Sequence, residues 1–82
     1  MAWEDRSGRI DHESGELLWQ QVADDLRTDI ESGKLRGKLS SELELAEIYG
    51  VARVTIRSAI GHLRERGLVT VTTGRGTFVA RK

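Results

Sequence analysis

The stretch SSELELAEIYGVARVTIRSAIGHLRERGLVTVTTGRGTFV, residues 40–79, decides how the chain is read. Ser41 followed three residues later by Glu44 is a capping box, in which each side chain satisfies a backbone N–H at the other end of the first helical turn. The helix it starts is expected to run to Tyr49 and to bury Leu45, Ile48 and Tyr49. Ala46 is small where two helices would cross closely, and Gly50 follows four residues later at the turn. Ile56, Ala59, Ile60 and Leu63 then recur at helical spacing, which predicts a further helix over residues 53–66, ended by Gly67. Residues 68–73 alternate apolar side chains with threonine, and a second strand, 77–80, follows Gly74-Arg75-Gly76, the pattern of a hairpin with a permissive glycine tip. Helix, turn, helix and hairpin in this order predict a winged helix-turn-helix.

Upstream, Leu18, Val22, Leu26 and Ile30 fall at steps of four, with Trp19 and Ala23 widening the stripe. This predicts an amphipathic scaffold helix from Leu17, closed by Gly33 as a C-terminal cap, with Asp24, Asp25, Asp29 and Glu31 on its outer face. The expected fold class is therefore α+β: three helices followed by a two-stranded β-hairpin wing, occupying residues 16–82. Residues 1–15, MAWEDRSGRIDHESG, are polar, glycine-punctuated and without period, and are expected to be a flexible N-terminal tail whose only large apolar groups are Trp3 and Ile10.

Composition narrows the function. A chain of 82 residues has room for one domain, and at this size about 60% of the unfolded surface is buried, which argues against a deep enzyme cleft. There is no cysteine, hence no disulfide framework and no thiolate metal site, as suits a reducing cytoplasm. No apolar run approaches the roughly 20 residues that span a bilayer, and the acidic start lacks the features of a signal peptide, so a cytoplasmic protein with no membrane partner is expected. His12 and His62 stand alone, with no carboxylate at ligand spacing, and nothing marks a nucleophile beside a base. Neither an enzyme nor a cofactor is expected.

Charge points to nucleic acid through its distribution. Thirteen Lys and Arg balance thirteen Asp and Glu, yet from residue 51 onward seven basic residues (Arg53, Arg57, Arg64, Arg66, Arg75, Arg81 and Lys82) face the single acid Glu65. A positive turn, helix and hairpin is the electrostatic footprint of phosphate binding, and the acidic first half would face away from the duplex. With Ile56, Ala59, Ile60 and Leu63 turned inward, Val54, Ser58 and Gly61 point most directly outward, flanked by Arg53, Thr55 and Arg57. Arginine's planar fork suits guanine O6 and N7, and threonine suits phosphate or a thymine methyl. Two arginines and a threonine in five residues also occur as surface decoration; the Ala46 and Gly50 turn before them favours contact. Ser41, besides capping, is placed to meet phosphate at a helix N-terminus. Gly74 and Gly76 let the wing backbone approach DNA, and Arg75 can enter a narrow minor groove or meet the sugar-phosphate chain. GRGT is not a nucleotide-binding phosphate loop, since the lysine and the spacing are missing.

The segments LWQQVADDLRTDIESGKL, SSELELAEIYGVARVTIRSAIGHLRERGLV and GRGTFV, within residues 18–79, resemble the N-terminal DNA-binding domain of GntR-family bacterial transcription regulators. The resemblance implies a winged helix that reads operator DNA as a dimer on a palindrome, with Arg53, Thr55 and Arg57 at recognition-helix contact positions and Gly74 at the wing-tip contact. It implies a sequence-specific transcriptional regulator, a repressor at promoter operators, and a small-molecule effector only if a further domain exists in the native protein. Some residues depart from the family pattern. The loop before the second helix is shorter than usual and the chain has no proline; Leu43 stands where members often carry a DNA-contacting arginine, and Val54 where they carry threonine. Residues 70–73 lack the usual basic groups, and Ala52 replaces a serine cap whose loss costs about 1 kcal/mol. Fewer phosphate contacts imply a shallower salt dependence. The zero net charge and Leu43 also fit an alternative, a winged-helix protein-interaction module that has lost DNA binding.

Overall fold

The computed structural model describes residues 3–14 and 16–80. A short 3-10 turn, Ser7–Arg9, precedes α1 (Leu18–Glu31), α2 (Glu42–Tyr49), α3 (Arg53–Glu65), β1 (Val69–Thr72) and β2 (Gly76–Val79). The core forms where the three helical stripes meet. Val22, Ala23 and Leu26 of α1 face Ile56, Ala59, Ile60 and Leu63 of α3, with Leu45, Ala46 and Tyr49 of α2 and Val69 of β1 closing the remaining sides. Each such Leu, Ile or Val removed from water contributes about 1.5–3 kcal/mol. Ile48, expected inside, is only half-buried, and Ala46 takes the buried place at the crossing.

Local chemistry sets the helix ends. At α2 the capping box is complete: the Glu44 backbone N–H donates to Ser41 Oγ at 3.2 Å, and the Ser41 N–H donates to Glu44 Oε1 at 3.0 Å. Gly50, with φ +68°, reverses the chain in a left-handed conformation that costs glycine little, and its N–H closes on the Ala46 carbonyl. Nothing caps the next helix by side chain, since Ala52 occupies that position.

The wing pairs antiparallel, Val69 with Val79 through Thr72 with Gly76, around a three-residue tip. It also has a third ply. The Leu39 N–H donates to the Thr77 carbonyl and the Val79 N–H to the Gly37 carbonyl, both at 2.8 Å, so Lys38 bridges Phe78 on the free edge of β2. Gly37, with φ +70°, turns the chain between α1 and α2 so that Lys38 and Leu39 run alongside β2. Leu35 and Leu39 are buried and anchor this segment to the core, while Arg36, Gly37 and Lys38 between them are exposed.

The larger difference lies at the N-terminus. Residues 1–15 were expected to be a flexible tail, whereas residues 3–14 pack on the helices. Ile10 is 7% exposed within the core, and the Arg6 N–H donates to the Ile48 carbonyl at 2.7 Å. Arg6 reaches Asp25 at 2.8 Å and Asp29 at 2.7 Å, donates to the Tyr49 hydroxyl at 3.1 Å and lies 4.8 Å from the centre of the Trp3 ring. Asp25 and Asp29, expected on an open outer face of α1, are therefore covered and paired, with Arg9 a further partner of Asp25 at 3.1 Å. Burial works to raise the Asp25 carboxyl, but hydrogen bonds from Tyr49, Arg9 and Arg6 outweigh it and hold the carboxyl below its ordinary range. Burial, followed by the bond to Asp25, pushes the Tyr49 hydroxyl well up, so it stays protonated and donates to Asp25 at 2.6 Å.

Candidate nucleic-acid interface

One side of α3 is fixed by burial, which leaves the other to solvent. Arg53, Val54, Arg57 and Ser58 are exposed, Val54 at 63%, while Thr55 and Gly61 are half-buried. Arg53 and Arg57 sit one turn apart and meet a common partner. Arg57 Nε donates to Glu42 Oε2 and Arg57 Nη2 to Glu42 Oε1, both at 3.1 Å, and Arg53 Nη2 lies 3.5 Å from Glu42 Oε1. The hydrogen bonds from Arg57 hold the Glu42 carboxyl below its ordinary range, so Glu42 is ionised at neutral pH.

Ser41 lies beside this cluster and is exposed. Its Oγ accepts from Glu44 N–H, leaving the hydroxyl proton free to donate to an oxygen ligand. Glu42 and Glu44 in the first turn of α2 offset the positive end of its dipole, which weakens this helix end as an anion site relative to the sequence expectation.

The wing forms a second group. Gly74 and Arg75 are exposed at the tip, Gly76 is half-buried, and the Arg75 N–H donates to the Thr72 carbonyl at 3.0 Å. Gly74 (φ +79°) and Gly76 (φ +116°) hold conformations disfavoured for other residues. Gly76 also meets a close neighbour: a Cβ there would come 2.9 Å from Lys38 Cε, so the Lys38 ammonium stands next to the tip.

Lys38 and Glu42 are the two charged groups on these surfaces that the sequence reading did not single out. Lys38 gave no local signal, because its place beside the wing comes from a bridge to Phe78. Glu42 gave none, because its partners lie eleven and fifteen residues away on another helix. Arg81 and Lys82 lie outside the described residues. Among the described residues no helix is long and apolar enough to cross a membrane, and no group of three or more His, Cys, Asp or Glu is placed to hold a metal ion.

The family model for bacterial regulatory proteins of the gntR family matches residues 18–79. The chain belongs to the GntR family. This GntR domain is 41% identical over 75 residues to an uncharacterized HTH-type transcriptional regulator of Rhizobium meliloti, covering 89% of the chain and 31% of that relative. It is 38% identical over 74 residues to the HTH-type transcriptional repressor NagR of Bacillus subtilis, covering 88% and 30%. The chain therefore spans about a third of the length of these curated relatives. Among solved structures, the GntR-family transcription factor YtrA of Sulfolobus acidocaldarius superposes with a TM-score of 0.81 at 33% identity, covering 89% of this chain and 79% of that one. The DNA-binding domain of AraR, solved in complex with operator ORE1, superposes at 0.76 with 40% identity, covering 87% and 89%. The three helices and the antiparallel wing of the GntR domain are thus the winged-helix arrangement of these neighbours.

Proposed function

We propose that this domain is a sequence-specific reader of double-stranded DNA that acts as a transcriptional repressor at promoter operators. The observation that carries the proposal is the placement of Arg53 and Arg57 one turn apart on the solvent side of α3, opposite the buried Ile56, Ala59, Ile60 and Leu63. A major groove about 12 Å wide admits such a helix. Arg57 then reads a guanine, Arg53 and Thr55 meet phosphate or a base edge, and the exposed methyl groups of Val54 suit a thymine methyl. The wing approaches the adjacent minor groove or backbone, with Gly74 and Gly76 allowing close passage and Arg75 and Lys38 supplying charge. Ser41 donates its hydroxyl to a phosphate oxygen.

Two copies on a palindrome would place their α3 helices in successive major grooves, about 34–36 Å apart, so a homodimer formed on DNA is part of the proposal. The N-terminal segment belongs to the same folding unit as the helices. A small-molecule effector enters only through a further domain, and the scheme requires no bond-making chemistry, no cofactor and no membrane. A cytoplasmic protein, nucleoid-associated when DNA-bound, fits these terms.

The operator complexes of AraR support this over an interaction module built on an acidic α1 face, since Asp25 and Asp29 are already engaged by Arg6 and Arg9. Selection from a random duplex pool at low salt tests it. Enrichment of a half-site or palindrome is expected; a pool that stays random would move the assignment to the interaction module.

A further inference from the structure

Glu42 raises a question that the DNA-reading assignment does not answer: why an ionised carboxylate sits in the face that would approach phosphates. A guanidinium offers two edges to a bidentate partner, a side edge of Nε with Nη2 and an end edge of Nη1 with Nη2. Glu42 occupies the side edge of Arg57, with both bonds at 3.1 Å, and draws Arg53 Nη2 to 3.5 Å through the same Oε1. The end edge of Arg57 is left without a partner among the described residues, on a side chain that is 63% exposed. That edge matches the two parallel acceptors O6 and N7 of guanine. An untethered arginine would instead spread over many rotamers and settle on any nearby phosphate.

The charge balance works in the same direction. One carboxylate beside two guanidinium groups removes one positive charge from the face, which weakens attraction to every duplex alike. Only a base that satisfies the oriented end edge recovers that loss.

We propose that Glu42 is a positioning residue that sets specificity: by holding the side edge of Arg57 and tethering Arg53, it commits Arg57 to one guanine and lowers binding to other sequences. This rests on the DNA-reading assignment above. Glu42 is not the cap of α2, which Ser41 and Glu44 supply, and its side chain is partly exposed, so its replacement leaves the fold's main supports in place.

The test uses the full chain and its variants Glu42→Gln, Glu42→Asp, Arg57→Ala and Glu42→Gln/Arg57→Ala. Binding is measured over a range of salt to the selected duplex, to the same duplex with the Arg57-read base pair changed, and to a mixed-sequence duplex; thermal melts confirm that each variant is folded. Glu42→Gln should bind the mixed duplex several-fold more tightly, with a salt slope steeper by about 0.9. Its preference for the selected duplex over the changed one should fall by about fivefold or more. Glu42→Asp keeps the charge but is one methylene too short to hold the side edge, so its preference should fall while its salt slope stays at the wild-type value. In the Arg57→Ala background, Glu42→Gln should leave the preference at that base pair unchanged. An unchanged preference in Glu42→Gln, or an equal fall with and without Arg57, would overturn the role of Glu42 while leaving DNA reading intact. A wild-type chain that prefers no duplex at all would overturn both.

Discussion

Replacing Arg6 with alanine should destabilise the domain by about 2–4 kcal/mol, although Arg6 lies in a segment whose composition reads as a free tail. Its side chain is 11% exposed and that of Asp29 is 9% exposed, and they are 2.7 Å apart. Removing one partner of a buried pair costs about 3–5 kcal/mol, because the other charge is left uncompensated. The cost here is discounted at the low end. Asp25 keeps the Tyr49 hydroxyl at 2.6 Å and Arg9 at 3.1 Å, and Asp29 keeps Arg9 at 3.9 Å, an exposed partner worth at most about 1 kcal/mol. A domain of 82 residues, at roughly 0.05–0.15 kcal/mol per residue, holds about 4–12 kcal/mol in all. The loss should therefore lower the melting temperature by about 10 °C or more.

Urea and thermal unfolding followed by circular dichroism would measure the change, and adding Asp29→Asn to Arg6→Ala should return part of the loss by removing the stranded carboxylate. A pH series gives an independent readout. The Asp25 carboxyl is held low in the folded chain, so its contribution is fully present above the ordinary carboxylate range and is lost as pH falls through the folded value. Arg6→Ala should shrink that acid-dependent loss. A destabilisation below about 0.5 kcal/mol, with an unchanged acid profile, is what a surface substitution on a mobile tail gives, and it would refute the packed arrangement.

Two further substitutions probe the helix ends and the wing. Ala52→Ser should stabilise the domain by about 1 kcal/mol in the same unfolding assay, since α3 starts without a side-chain cap; no gain would mean that the Ala52 backbone does not direct a hydroxyl at the first turn. Arg75→Ala should weaken binding to all duplexes alike and lower the salt slope by about 0.9, and a loss confined to one sequence would show that Arg75 reads a base.

What the sequence made legible was local. The Ser41 and Glu44 box, the Gly50 reversal, the spacing of Ile56, Ala59, Ile60 and Leu63 and the glycine-tipped hairpin each lie within a few residues, and the structure realises each of them. The first strand shortens from 68–73 to Val69–Thr72, and the second moves by one residue to Gly76–Val79, with Gly76 drawn in and Ala80 left out. What escaped was long-range. Arg6 finds Asp25, Asp29 and Tyr49 at separations of 19 to 43 residues, and no periodicity records such a pairing. Polar composition argued for a tail because it counts Arg6 and Arg9 as solvated charges, whereas the acids of α1 offered them partners. The same limit hid Glu42, which reads as one more exposed acid until α2 and α3 are brought together. Lys38 escaped for the same reason, since its place beside the wing depends on a single bridge to Phe78, forty residues away.

The central claim is that α3 reads base sequence through the arginines of its exposed face. Affinity of wild type and Arg57→Ala for a duplex selected by the wild-type chain tests it most directly, with each base pair of the half-site varied in turn. The account predicts that Arg57→Ala loses about 1–3 kcal/mol on the selected duplex and loses its preference at a single G·C pair, keeping it elsewhere. Equal affinity and an unchanged preference at every position would contradict it.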